Sequence, residues 1–155
     1  MARKVYVETT IPSFYHEVRT EPEMIARKNW TRSWWENRSD QYLLVTSEAV
    51  IDELQSGEFP NKDKALGLIA SLPLVPVESA VVEIMETYIE RTVMPSDPAG
   101  DALHLALASY HKCDFLLTWN VRHLANANKF EHIRRVNTML GLFTPTLATP
   151  LELLA

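Results

Sequence analysis

Four short stretches of this chain set oxygen-bearing side chains beside apolar runs. "KVYVE" (4–8) ends in Glu8, followed by Thr9 and Thr10. "TSEAVIDEL" (46–54) carries Glu48, Asp52 and Glu53. "GDALHLALA" (100–108) puts Asp101 at the head of a run of Ala and Leu broken only by His104. "DFLLTWN" (114–120) ends in Thr118, Trp119 and Asn120. A bare carboxylate is costly out of water unless it meets a cation or hydrogen-bond donors. Carboxylates that converge raise one another's pKa. A hard divalent cation relieves that repulsion, and oxygen-rich donors that leave room for water suit Mg²⁺ or Mn²⁺.

Whether these acids converge depends on the elements that carry them. Residues 4–8, 41–47, 74–77 and 114–119 are short, apolar and partly β-branched, as strands are. The 114–119 run is almost unbroken, as in a parallel strand covered on both faces. Pro76 suggests weak or peripheral pairing for 74–77. Helices are expected after the turn at Pro12, over 22–38, over 48–56 with Thr46 or Ser47 as cap and Gly57 as stop, over 60–72 and over 78–92. Another is expected from Asp97 as N-cap and Pro98 as first helical residue to about His111. A helix from Val121 to Leu140 is expected to break near Asn126–Lys129. A last short strand lies in "TPTLATPLELL", before a helical turn opened by Thr149 and Pro150. Strands alternating with helices imply an α/β domain with a mainly parallel sheet, whose ligands bind beyond the carboxyl ends of the strands. Glu8, Thr46-Ser47 and Thr118-Trp119-Asn120 all fall at such ends, and Asp101 lies in a first helical turn, where the dipole favours an anion.

The 155 residues suit one domain, 1–155, with a real core. No apolar run approaches the roughly 20 residues of a membrane span, and "MARKVYVETT" does not read as a secretory signal. One cysteine, Cys113, excludes an intrachain disulfide and fits a reducing cytoplasm. The net charge of −5 argues against a general nucleic-acid coat, but not against an enzyme with a local basic patch. His104, His111 and Cys113 lack the close pair that a zinc site needs. With four glycines and no G-x-G-x-x-G, a dinucleotide fold is disfavoured.

"VYVETTIPS", "TSEAVIDEL", "DALHLALA" and "LLTWNVRHLAN" resemble the four signature blocks of PIN domains, closest to the VapC-like branch of type II toxin–antitoxin ribonucleases. The resemblance runs from the first strand to "TPLELL". It implies a three-layer α/β/α fold and a Mg²⁺- or Mn²⁺-dependent endoribonuclease. It further implies an antitoxin partner and a homodimer. Carried onto this chain, it gives Glu8, Glu53, Asp101 and Asn120 as the catalytic set. Glu8, Asp101 and Asn120 would hold the metal, Glu53 would bind it through water or orient the nucleophile, and Thr9 and Thr118 would support them as donors. Two positions depart from the family pattern. Glu8 stands where Asp is usual, and Asn120, often Asp, offers a carbonyl oxygen without charge.

Each residue also has a plainer reading. Asp101 is compatible with a simple first-turn acid, Glu8 with a strand-end surface acid and Asn120 with a helix cap. Glu48 and Glu53 flank the Val50, Ile51, Leu54 face, and periodicity does not choose between them. "RKNWTRSWWENR" (27–38) mixes four bases with three tryptophans, which reads as an antitoxin or dimer surface ahead of an RNA contact. The competing functions are a degenerate PIN-like module that binds RNA or protein without cutting, and a receiver-type Mg²⁺ phosphoryl-transfer domain. The second lacks a suitable Lys after a late strand.

Overall fold

The computed structural model describes residues 2–96 and 99–154. Asp97 and Pro98, the expected cap and first residue of a helix, lie outside the described residues. The elements run β1 (Arg3–Val7), α1 (Thr10–Tyr15), α2 (Pro22–Asn37), β2 (Tyr42–Val45), α3 (Glu48–Ser56), α4 (Lys62–Ile69), α5 (Ser79–Glu90), α6 (Gly100–Tyr110), β3 (Phe115–Leu117), α7 (Ala127–Met139) and β4 (Thr146–Ala148).

The four strands form one all-parallel sheet in the order β2-β1-β3-β4. From β1 the chain crosses to β2 on one side, then returns past β1 to β3 and continues outward to β4. Right-handed crossovers therefore bring α1 and α2 to one face and α5, α6 and α7 to the other, giving the three layers of an α/β/α fold, while α4 packs against α1 and α3. Every residue of β3 is buried, and so are Val5, Tyr6 and Val7 of β1. Their apolar runs are what a sheet covered on both faces demands.

Local sequence sets several boundaries. Pro12 does not turn the chain. It is the third residue of α1, where a helix has no intrahelical use for the N–H, and the helix begins two residues earlier at Thr10. Pro22 opens α2. Residues 74–77 are not a strand. A single parallel bridge joins Thr46 to Leu74, with Val75 N–H donating to Thr46 O at 2.8 Å. The ladder stops there because the partner strand has ended: Ser47 is the N-cap of α3, which begins at Glu48. Residues 121–125 form turns rather than the start of a helix. Asn126 has extended backbone and accepts from Asn128 N–H through its side chain, so α7 starts only at Ala127. Among the described residues, no helix is long and apolar enough to cross a membrane.

The tryptophan-rich segment turns largely inward. Trp34 is fully buried, while Trp30 and Trp35 pack half-buried against the core. Trp30 stacks on Trp119, whose indole N–H donates to the buried Thr31 hydroxyl at 2.7 Å. Arg27 covers the Trp119 ring at 5.2 Å and reaches the Trp119 carbonyl at 3.4 Å. Trp30 thus anchors α2 over the end of β3, while Trp34 packs on Tyr42 of β2 and Trp35 on Tyr15 of α1.

Candidate active site

The strand order reverses at β1 and β3, which connect to opposite sides of the sheet. Open parallel sheets bind ligands in the crevice beyond the carboxyl ends at such a point. Glu8 follows β1 directly and Thr118 follows β3 directly.

Glu8 is only 4% exposed. Its Oε1 accepts from the Thr118 hydroxyl at 2.6 Å, the Thr10 hydroxyl at 2.5 Å and the Thr10 N–H at 3.1 Å. Oε2 accepts no bond from the described residues. It is not sealed away either: the indole Nε1 of Trp34 is the one fully occluded side-chain atom without a partner among them. Burial raises the Glu8 pKa, and His104, Thr10 and Thr118 offset only part of that rise.

Thr118 carries the connection onward. Its hydroxyl accepts from Asn120 N–H at 2.9 Å, and Asn120 Nδ2 donates to Asp101 Oδ1 at 3.0 Å. A continuous string of hydrogen bonds thus runs Glu8–Thr118–Asn120–Asp101. The partner of Asp101 in this fold is Asn120. Asn120 Oδ1 is engaged elsewhere, accepting from His123 N–H at 3.0 Å. Asn120 therefore presents a donor, not its carbonyl oxygen, to Asp101. It acts at once as the support of that acid and the cap of the following turn. Asp101 sits in the first turn of α6 and keeps Oδ2 free of hydrogen bonds from the described residues.

Glu53 belongs to a second network. It accepts from His104 Nε2 and, at 2.6 Å, from the Thr9 hydroxyl. His104 Nδ1 meets the Tyr6 hydroxyl at 2.7 Å, and that hydroxyl meets Ser47 Oγ at 2.7 Å. Ser47 stands at the N-cap position of α3, yet its hydroxyl serves this chain rather than the helix end. His104 and Tyr6 are fully buried, whereas the Glu53 side chain is 42% exposed. Burial opposes charge on both partners of the Glu53–His104 pair. The contact outweighs it, so His104 is raised above its ordinary value and Glu53 lowered below its own. Glu8 and Asp101 also raise His104. The cluster of acids thus favours the protonated form of a buried imidazole.

The sequence-derived residues divide between the two networks. Glu8, Thr118, Asn120 and Asp101 share the first; Glu53 and Thr9 share the second. Glu48 is exposed, and Glu53, not Glu48, faces the site. Asp114 lies at the opposite sheet edge, accepting from Lys4 N–H at 2.7 Å, and His111 bonds the Pro76 carbonyl at 2.8 Å. Sequence reasoning missed Thr10 as the donor beside Thr118, and it left His104 as a core or near-site histidine. The signal for His104 was present: it is the one polar residue in the apolar run that follows Asp101.

Among the described residues, no three His, Cys, Asp or Glu side chains close on one point as an all-protein cage would. Mg²⁺ does not require one, since it is commonly held by one or two carboxylates with water and substrate phosphate completing the shell. Glu8 and Asp101, joined by the Thr118–Asn120 string and each with an oxygen to spare, fit that donor set. Comparison with family models returns no match, and no curated protein matches the chain.

Proposed function

We propose that this chain is a metal-dependent endoribonuclease of the PIN class. The observation that carries this reading is the hydrogen-bond string from Glu8 to Asp101 at the reversal point of the sheet, with one oxygen of each carboxylate unbonded among the described residues. Glu8 and Asp101 would hold Mg²⁺ or Mn²⁺. When bound, such an ion polarises a phosphodiester and makes water a better nucleophile at neutral pH.

The protein's own groups supply position and charge. Thr10 and Thr118 fix Glu8 Oε1, which aims Oε2 outward. Asn120 Nδ2 holds Asp101 by Oδ1. Glu53, kept ionised by His104 and Thr9, is partly open to solvent and suited to orienting an attacking water. The four sequence blocks also carry the reading's partners: RNA as substrate, a cognate antitoxin, and a second copy in a homodimer, within the cytoplasm.

The test is cleavage of a single-stranded RNA by the purified chain with Mg²⁺, with Mn²⁺ and with a chelator. Asp101→Asn and Glu8→Gln should each lower metal-dependent cleavage by about a hundredfold or more. Undiminished cleavage in chelator, or by Asp101→Asn, overturns the reading. One observation favours the non-catalytic alternative: Glu53 already has a partner in His104. That alternative yields RNA binding with no metal-dependent cutting.

A further inference from the structure

Beyond the acid site, the positive side chains of α7 and the end of α5 are arranged in an order that the chemistry above does not use. Lys129, His132 and Arg135 recur at three-residue steps on one side of α7. Lys129 and His123 line a hollow of about 390 Å³ together with Thr92, Met94 and Ser96. His132 and Arg135 line a second hollow of about 390 Å³ with Arg91, Met139 and one acid, Glu90. The two hollows lie between the same elements, tied together where His132 Nε2 donates to the Arg91 carbonyl at 3.0 Å.

The strip begins at the acid site. His123 N–H bonds Asn120 Oδ1 at 3.0 Å, and Lys129 feels the charge of Asp101. Its cations are also unspent. Among the described residues, no carboxylate lies within 4.0 Å of Arg91, Lys129 or Arg135, whereas Arg134, on the other side of α7, takes up Glu131. In a chain with net charge −5, three neighbouring cations that have no ion pair among the described residues form a local field of the opposite sign. Six residues of helix rise about 9 Å, enough for the strip to meet more than one phosphate of an extended strand.

We propose that the strip formed by Lys129, Arg91 and Arg135, with His123 and His132 between them, is a binding track for the phosphate backbone of single-stranded RNA leading away from the acid site. Its direction rests on the function proposed above; its charge and geometry do not. Phosphate contacts of this kind set register and affinity rather than sequence preference.

The experiment measures binding of a labelled single-stranded RNA to the full chain in chelator, across a salt series, for the parent and for the triple variant Arg91→Gln, Lys129→Gln, Arg135→Gln. All three substitutions sit at exposed or half-buried positions, and circular dichroism checks the fold. The expected result is at least tenfold weaker binding and a salt slope shallower by about 2, at roughly 0.7 per phosphate contact on a single strand. Equal affinity and equal slope overturn the track, as does RNA binding that is undetectable in the parent. Loss of self-association with RNA binding intact also overturns it, in favour of a protein contact. Cleavage assays separate the two proposals. RNA bound through the strip but never cut refutes the nuclease and keeps the track, and RNA cut equally well by the triple variant does the reverse.

Discussion

Gly100 lies where any side chain would meet Glu53: a Cβ at Gly100 would stand 2.7 Å from Glu53 Oε2. The first residue of α6 thus abuts the carboxylate that α3 presents, and the absence of a side chain lets the acid reach His104. Real Cβ atoms do not approach this closely. The atom in the way ends a flexible side chain, so it would move rather than unfold the helix. Gly100→Ala should therefore leave the helix folded with a modest change in stability, because up to about 1 kcal/mol of helix propensity opposes the loss of the Glu53–His104 contact. RNA cleavage should fall by about tenfold or more as Glu53 leaves His104 and Thr9. Thermal melting beside a cleavage assay decides it, and full activity in the Ala variant would show that the position of Glu53 does not matter.

The Glu53–His104 pair gives stability a particular pH dependence in chelator. His104 is raised above 6.5, so its contribution is whole below pH 6.5 and is lost as pH climbs through the raised value. Glu53 is lowered below 4.5, so its contribution is whole above pH 4.5 and is lost as pH falls through the lowered value. Glu8, raised above 4.5, favours the fold when protonated and withdraws stability as pH rises through its own value. The melting temperature should accordingly fall as pH rises above 6.5. His104→Gln should be less stable at pH 6 and lose most of that upper slope; a variant retaining the parent's slope would contradict the pairing.

Thr118 bonds both Glu8 and the backbone of Asn120, so its hydroxyl links the two acids. Thr118→Val keeps the shape and removes the link. It should cost about 1–3 kcal/mol, because a buried carboxylate loses a donor. It should also move the acid limb of any pH–rate profile upward, since Glu8 would be raised further. Thr118→Ser, which restores the hydroxyl, should recover the profile. Denaturant melts and rate profiles of the pair test this, and equal profiles for Val and Ser would remove Thr118 from the site.

A buried polar triad away from the site sets a stability comparison. The Tyr88 hydroxyl donates to Asn137 Oδ1 at 2.5 Å and lies 3.2 Å from Ser109 Oγ, while Asn137 Nδ2 donates to Ser109 Oγ at 3.0 Å. Burial pushes the Tyr88 phenol up to about 12. Tyr88→Phe leaves the Asn137 carbonyl short of a donor and should cost about 1–3 kcal/mol. Metal-dependent cleavage at low temperature should not change. A loss of activity without loss of stability would tie this triad to function.

The alternation of strands and helices was legible because burial on both sheet faces enforces apolar runs in β1 and β3, and the helix carrying Asp101 followed from its acid and its Ala-Leu run. Failures came where one residue overrides a pattern. "LVPV" has strand composition, but Ser47 turns its partner strand into α3 after one bridge. "VRHLAN" has helical composition, but the extended backbone of Asn126 ends the turn before α7 can begin. Within the site, strand-end position was enough to place Glu8 and Thr118. The direction of the Asn120 amide was not readable, since it depends on His123 N–H and Asp101 together. Thr9 and Thr10 are indistinguishable by type; α1 starts between them and sends one hydroxyl to Glu53 and the other to Glu8.

The place of β1 in the sheet has a consequence for synthesis. Glu8 emerges from the ribosome early, yet the hydroxyl that orients it belongs to Thr118, 110 residues later. Until that residue has been translated, β1 lacks one of its two neighbours, and the acid has only its local Thr10 donors and no connection to Asp101. Unfinished chains therefore carry the pieces of the site without its assembly. Whatever chemistry the site performs is withheld from the cell until the ribosome has passed β3.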